Sequence, residues 1–265
     1  MTRLLNLAEK IIIALDVADR EKALELVREL PEARWFKIGL ELFTACGPSL
    51  IEAIRERGHE IFLDLKLHDI PNTVAGAIRA ATGHGVSMLT LHASGGREMM
   101  SRAKEAAAEE AARRGIPRPK LIGVTVLTSL NDEDLKDIGL RENVATQVLR
   151  LGLLARECGL DGSVCSPQEI SLLRQNLGED WLLITPGIRP AWAVPADQKR
   201  TLSPAEALSL GASFLVIGRP IIAHSSPRQA FLQLIKELEA CRHFSDSKDP
   251  TENKGKNSHN DNSQN

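Results

Sequence analysis

Tyrosine is absent from the sequence, and aromatic residues of every kind make up only 3% of it. Proteins that grip single-stranded nucleic acid stack its bases on exposed rings, and a chain this poor in rings is unsuited to that task. Charge of one sign is missing too. Its 33 basic residues meet 35 acidic ones for a net charge of −2, which leaves no electrostatic footprint for a phosphate backbone. No nucleic-acid partner is expected. Cysteine is scarce, and Cys46, Cys158, Cys165 and Cys241 form no CxxC pair. That spacing argues against a disulfide frame or a zinc site, and the thiols read as reduced and mostly buried in a cytoplasmic protein. Long apolar runs are also lacking. The run 11–17 is too short to span a bilayer and carries Asp16 near its end. With no basic stretch or small-residue cleavage site before it, neither membrane insertion nor secretion is expected.

What the sequence does hold is alternation. Strands are expected near residues 11–17, 34–39, 60–67, 87–93, 120–128, 162–166, 181–187 and 214–219. Amphipathic helical segments lie between them, among them 19–30, 97–114 and 143–158. Ser166-Pro167, Ser203-Pro204 and Ser226-Pro227 suit helix N-cap and N1 positions. Eight βα units in 265 residues, 43% of them hydrophobic, suit one α/β domain closed as a (β/α)₈ TIM barrel. The same alternation also fits a doubly wound open sheet. The barrel domain is expected over residues 1–242. Residues 243–265 contain no aliphatic side chain, cannot bury enough surface to offset chain entropy, and are expected to form a disordered polar tail.

Strand alternation sorts the charged residues. In the third strand Leu63, Leu65 and Leu67 share one face, suited to packing against helices, so Asp64 and Lys66 point to the barrel axis. The same phase puts Asp16, Lys37 and His92 on inner faces, all toward the C-terminal ends of their strands. Charges there are costly to desolvate unless they pair, and catalytic groups of these barrels come from that end. A structural ion network would leave the same pattern, and His92 reads most simply as a satisfied core histidine. At the last two strands, TPGIRP (Thr185–Pro190) and IGRP (Ile217–Pro220) expose glycine backbone beside Arg189 and Arg219. Barrels often bind phosphate at this pair of loops, and two arginines can clamp it. Plain Gly-Pro turns with solvated arginines are the simpler alternative.

Taken together, FLDLKLHDIPNT (Phe62–Thr73), ALDV around Asp16, FKIG around Lys37, TVLTS (Thr125–Ser129), TPGIRP, ADQKR (Ala196–Arg200) and IGRPI resemble the orotidine 5′-monophosphate decarboxylases of bacterial type. The resemblance spans roughly residues 10–240, and the long third-strand motif is its most specific part. It implies cofactor-free removal of CO₂ from orotidine 5′-monophosphate to give UMP in pyrimidine biosynthesis, with no metal. It further implies that Lys37, Asp64, Lys66 and Asp69 form an alternating charge network in which Lys66 protonates the carbon vacated by CO₂. Asp16, Lys37 and Thr73 would meet the ribose, and Thr128 and Ser129 the ribose and pyrimidine. Pro186 would be an apolar wall, while Gln198 would bridge base and phosphate from a lid over residues 189–200. Arg189, Gly218 and Arg219 would hold the phosphate. A homodimer is expected, with Asp69 and Thr73 crossing into the neighbour's site. On position alone, Asp69 could equally cap the helix that follows it.

The nearest rival is a sugar-phosphate enzyme of the same superfamily, such as hexulose-phosphate synthase. Those relatives carry an acidic metal ligand at the second-strand position, where this chain has Lys37, a group that would repel Mg²⁺. A silent nucleotide-binding barrel is the other reading, though it would have no use for Lys66 with both aspartates.

Overall fold

Eight short strands form where aliphatic and β-branched residues cluster: β1 (Ile11–Ala14), β2 (Trp35–Gly39), β3 (Glu60–Leu67), β4 (Met88–His92), β5 (Lys120–Val124), β6 (Gly162–Val164), β7 (Leu182–Thr185) and β8 (Phe214–Ile217). Each pairs in parallel with the next. Strand β8 then closes on β1 through Ile11–Leu215, Ile12–Val216 and Ile13–Ile217, completing a barrel. Closure removes the open-sheet alternative and gives the (β/α)₈ architecture that the alternation suggests. The structure, a computed structural model, describes residues 7–193 and 202–246.

The helices are α1 (Arg20–Glu29), α2 (Leu40–Cys46), α3 (Ser49–Arg55), α4 (Pro71–Gly83), α5 (Gly96–Arg114), α6 (Asp132–Asp137), α7 (Val144–Glu157), α8 (Ile170–Leu177), α9 (Pro204–Ser209), α10 (Arg219–Ile222) and α11 (Pro227–Asp246). Their starts follow local chemistry. Asp19 accepts the Lys22 N–H at 2.8 Å and Asn143 that of Thr146 at 2.9 Å. Ser203 and Glu206 cap one another ahead of α9. Each such cap is worth about 1 kcal/mol. Between β2 and β3 the crossover is made of two helices, split where Gly47 takes a φ of +66° ahead of Pro48. Helix α11 passes the domain boundary expected at 242, and residues 247–265 lie outside the described residues.

Every expected strand overlaps an observed one, but several stop early at the C-terminal end. The run 11–17 leaves the sheet after Ala14 and the run 120–128 after Val124. Leu15 and Val126 are still buried, so the apolar pattern continues although the backbone has turned into rim loops.

Alternation divides the buried side chains into two cores. Outside the barrel, Ile11, Ile13, Phe36, Ile38, Leu63, Leu89 and Leu91 pack against the helices. Inside it, Ile12, Ala14, Phe62, Met88, Ile122, Ile184 and Val216 fill the axis. At the rim where the strands begin, Arg118 grips Asp161 at 2.9 and 2.7 Å, and Arg174 donates to the carbonyls of Gly178 and Trp181 at 2.6 and 2.9 Å. Those fixed charges tie loops together at the stability end and leave the opposite rim for chemistry. Two of the four cysteines, Cys158 and Cys165, are buried, whereas Cys46 is half-buried and Cys241 exposed. This corrects the expectation of mostly buried thiols: Cys46 ends the short α2 and Cys241 sits on an outer turn of α11. Among the described residues no helix is long and apolar enough to cross a membrane.

Candidate active site

The inner core stops one layer below the rim, and above it opens a cavity of about 550 Å³. Charged residues line its floor. Lys37 Nζ donates to Asp16 Oδ1 at 3.1 Å and lies 3.7 Å from Asp64 Oδ2. Lys66 Nζ donates to the same Asp64 oxygen at 2.9 Å. The four side chains thus run Asp16, Lys37, Asp64, Lys66, with sign alternating at each step. Their positions follow from strand phase: Lys37 and Trp35 share the inner face of β2, as Phe62, Asp64 and Lys66 share that of β3. Asp64 and Lys37 side chains are each only 12% exposed, so each needs the other's charge to be held there. Lys66, at 31%, reaches toward the cavity.

The carboxylate of Asp64 has a further partner that strand-end motifs do not flag. Thr90, fully buried on β4, donates its hydroxyl to Asp64 Oδ1 at 3.0 Å and accepts the Lys66 backbone N–H at 2.8 Å. Two residues on from Thr90, the half-buried His92 tilts against His68 with ring centroids 5.1 Å apart. Burial, followed by the His68 and Lys66 charges, lowers the His92 pKa below the ordinary histidine value, and Asp64 opposes the shift.

The wall beside Asp16 is built from the ends of the last two strands. Pro186, Arg189, Gly218 and Arg219 line the cavity, as does Thr128. Gly218 sits in a tight place: a Cβ there would stand 3.2 Å from Asp16 Oδ2 and 3.4 Å from the Ala14 side chain, so Asp16 would have to give way by a few tenths of an ångström. Two residues absent from the sequence reading, Trp192 and His224, also line the cavity and meet edge to face at 6.2 Å. Neither belongs to a periodic segment, and no charge pattern marks them. A cavity of this volume that brings glycine backbone and two guanidinium groups together with paired lysines and aspartates is suited to an anionic ligand of about nucleotide size.

Three expected residues stand apart from this cavity. Asp69 and Thr73 are exposed at the rim, and Asp69 Oδ1 accepts the Ile70 N–H at 2.6 Å. The N-cap of α4 is Ile70, so Asp69 does not cap that helix. Ser129 is exposed on the loop after β5 and does not line the cavity. Gln198 lies outside the described residues, with most of the expected lid.

Residues 9–234 match the family described as orotidine 5′-phosphate decarboxylase / HUMPS. The chain is similar to an orotidine 5′-phosphate decarboxylase of Nostoc sp., 51% identical over 87% of this chain and 97% of the relative. Another from Moorella thermoacetica is 50% identical over 88% of this chain and 94% of the relative. Its fold is similar to the crystal structure of orotidine 5′-phosphate decarboxylase from Lactobacillus acidophilus, with a TM-score of 0.78 at 38% identity over 87% of this chain and 99% of that one.

Proposed function

The chain belongs to the orotidine 5′-phosphate decarboxylase / HUMPS family, and from that premise we propose that it decarboxylates orotidine 5′-monophosphate with Lys66 as the proton donor. The observation that carries this reading within the family is Lys37. It stands between Asp16 and Asp64 at 3.1 and 3.7 Å, and so fills with a cation the place where a metal-dependent sugar-phosphate enzyme needs a carboxylate.

The reaction leaves an electron pair on a ring carbon that nothing in the substrate delocalises. Fixed charge in a water-poor site is what lowers such a barrier. The carbon–carboxyl bond breaks and its electrons stay on the ring. Lys66 passes a proton from Nζ to that carbon as CO₂ departs, and the resulting amine regains a proton from solvent. Asp64 holds the Lys66 ammonium in place and aimed beforehand through their 2.9 Å hydrogen bond. Asp16 and Lys37 suit the ribose hydroxyls; Thr128 and Pro186, which line the cavity, suit the base and sugar, and Ser129 joins them in this reading only when the loop after β5 turns inward. Arg189, Gly218 and Arg219 suit the phosphate, whose binding energy is available to the distant reacting carbon. Gln198 is assigned to the base and phosphate from the lid. No step is given to a metal or an organic cofactor.

A homodimer completes the site in this reading. Asp69 and Thr73 face outward at the rim beside Ile70, which is 67% exposed. An outward carboxylate and an apolar neighbour suit a two-fold contact, from which each would enter the partner's cavity. A cytoplasmic location agrees with four cysteines that form no disulfide. The test is spectroscopic: purified protein should bleach the orotate absorbance of orotidine 5′-monophosphate. Turnover of a hexulose phosphate with no such bleaching would overturn the reading.

A further inference from the structure

Among the described residues Lys66 is the one non-glycine with a positive φ, at +50°. A residue with a long side chain stays in that region only when its surroundings hold it there. The sheet is broken at the same point. Leu63 pairs with Leu89 and Leu67 with Leu91, so Asp64, Leu65 and Lys66 together stand opposite Thr90. A bulge of this kind re-aims a side chain but strips the backbone of ladder partners.

Thr90 supplies what the ladder lacks. A hydroxyl has one proton to give, and an ionised carboxylate can only accept. The proton must therefore go to Asp64 Oδ1, 3.0 Å away, leaving a lone pair for the Lys66 N–H at 2.8 Å. One buried group thereby fixes both the backbone from which the Lys66 side chain departs and the carboxylate that its ammonium reaches. Packing alone would not choose threonine here. Its neighbours on the inner faces, Met88 and Ile122, are apolar, and valine has the same shape.

We propose that Thr90 is a positioning residue of the decarboxylation site, its hydroxyl locking the bulge so that Lys66 Nζ stays where the proton is delivered. The inference rests on the reading of Lys66 as proton donor. Thr90→Val removes the hydroxyl at constant shape, and Thr90→Ser keeps it while removing the methyl. The valine variant should lose about 10- to 100-fold in kcat, the scale of a misplaced catalytic group. Its Kd for UMP should stay within about threefold of wild type, and the serine variant should retain kcat within about threefold, because its hydroxyl makes both bonds. Valine with wild-type kcat, or serine as slow as valine, overturns the proposal. Should the valine variant not fold, Thr90→Ala against Thr90→Ser makes the same comparison. Amide exchange at Lys66 in the wild-type protein gives a readout that needs no turnover: strand-like protection is expected, and loop-like exchange overturns the lock. A wild-type protein inert toward orotidine 5′-monophosphate would instead defeat the functional reading, and the exchange result would still stand on its own.

Discussion

Lys66 and Asp64 sit two positions apart on the inner face of β3, with the ammonium of one 2.9 Å from a carboxylate oxygen of the other. Asp64 also faces Lys37 and Thr90, so both of its oxygens are engaged before any substrate arrives. The ammonium is thus held by a carboxylate that cannot easily turn away, a preorganised source of both positive charge and a proton.

Lys66→Ala should accordingly abolish decarboxylation while UMP still binds. The expected loss exceeds about 4 kcal/mol of barrier, beyond an ordinary acid–base contribution. Turnover rates followed by orotate absorbance, with UMP affinity by calorimetry, check it. A rate within tenfold of wild type would remove Lys66 from its role.

Arg219→Ala should cost about 3–5 kcal/mol in kcat/KM through loss of the phosphate clamp. The same steady-state assay measures it. If wild-type protein turns over the phosphate-free nucleoside as well as the nucleotide, the phosphate end has been misassigned.

Exhaustive EDTA treatment should leave activity intact, because Lys37 occupies the position at which a metal ligand would have to be acidic. Activity that falls and returns with Mg²⁺ would favour the sugar-phosphate reading.

Mixing Lys66→Ala with Asp69→Ala tests the shared site. Each should be inactive alone. With random exchange, half of the dimers pair one subunit of each kind and hold one intact site of two, so roughly a quarter of wild-type sites return. Proven exchange with no recovered activity would place Asp69 in its own subunit's chemistry.

Stability should fall as the medium is acidified. Burial chiefly lowers the pKa of His92, and of His59 despite its contact with the Ala33 carbonyl. The unfolded chain therefore takes up protons first as pH drops through about 6.5, and the folded state loses stability until its own rings protonate. Denaturant unfolding between about pH 7.5 and 5 should show the decline. His92→Gln should flatten it, and an unaltered slope would mean that His92 is not a source.

Much of this was legible in the chain itself. Period-two alternation sorted Lys37, Asp64 and Lys66 from Leu63, Leu65 and Leu67, because each barrel strand has one face toward helices and one toward the axis. The apolar pattern runs past the strand ends, since the first residues of a rim loop, such as Thr125 and Val126 after β5, are still buried. Helices α2, α3 and α6 are too short to show a period. Thr90 carries no sequence signal of its own: threonine is ordinary in a strand, and its importance comes from a bulge in the neighbouring strand. Trp192 and His224 come together only through closure of the rim.

Barrel closure also bears on synthesis. Asp16, Lys37, Asp64 and Lys66 leave the ribosome early, whereas the strand that shuts the barrel beside β1 comes last. Until Phe214–Ile217 is docked, those charges have no enclosed cavity, and Gly218 is not yet beside Asp16. A chain halted before β8 therefore holds every acid and base of the floor and no place to put a nucleotide. Ribosome-bound chains of increasing length should gain UMP-dependent resistance to protease in one step, after β8 has cleared the exit tunnel.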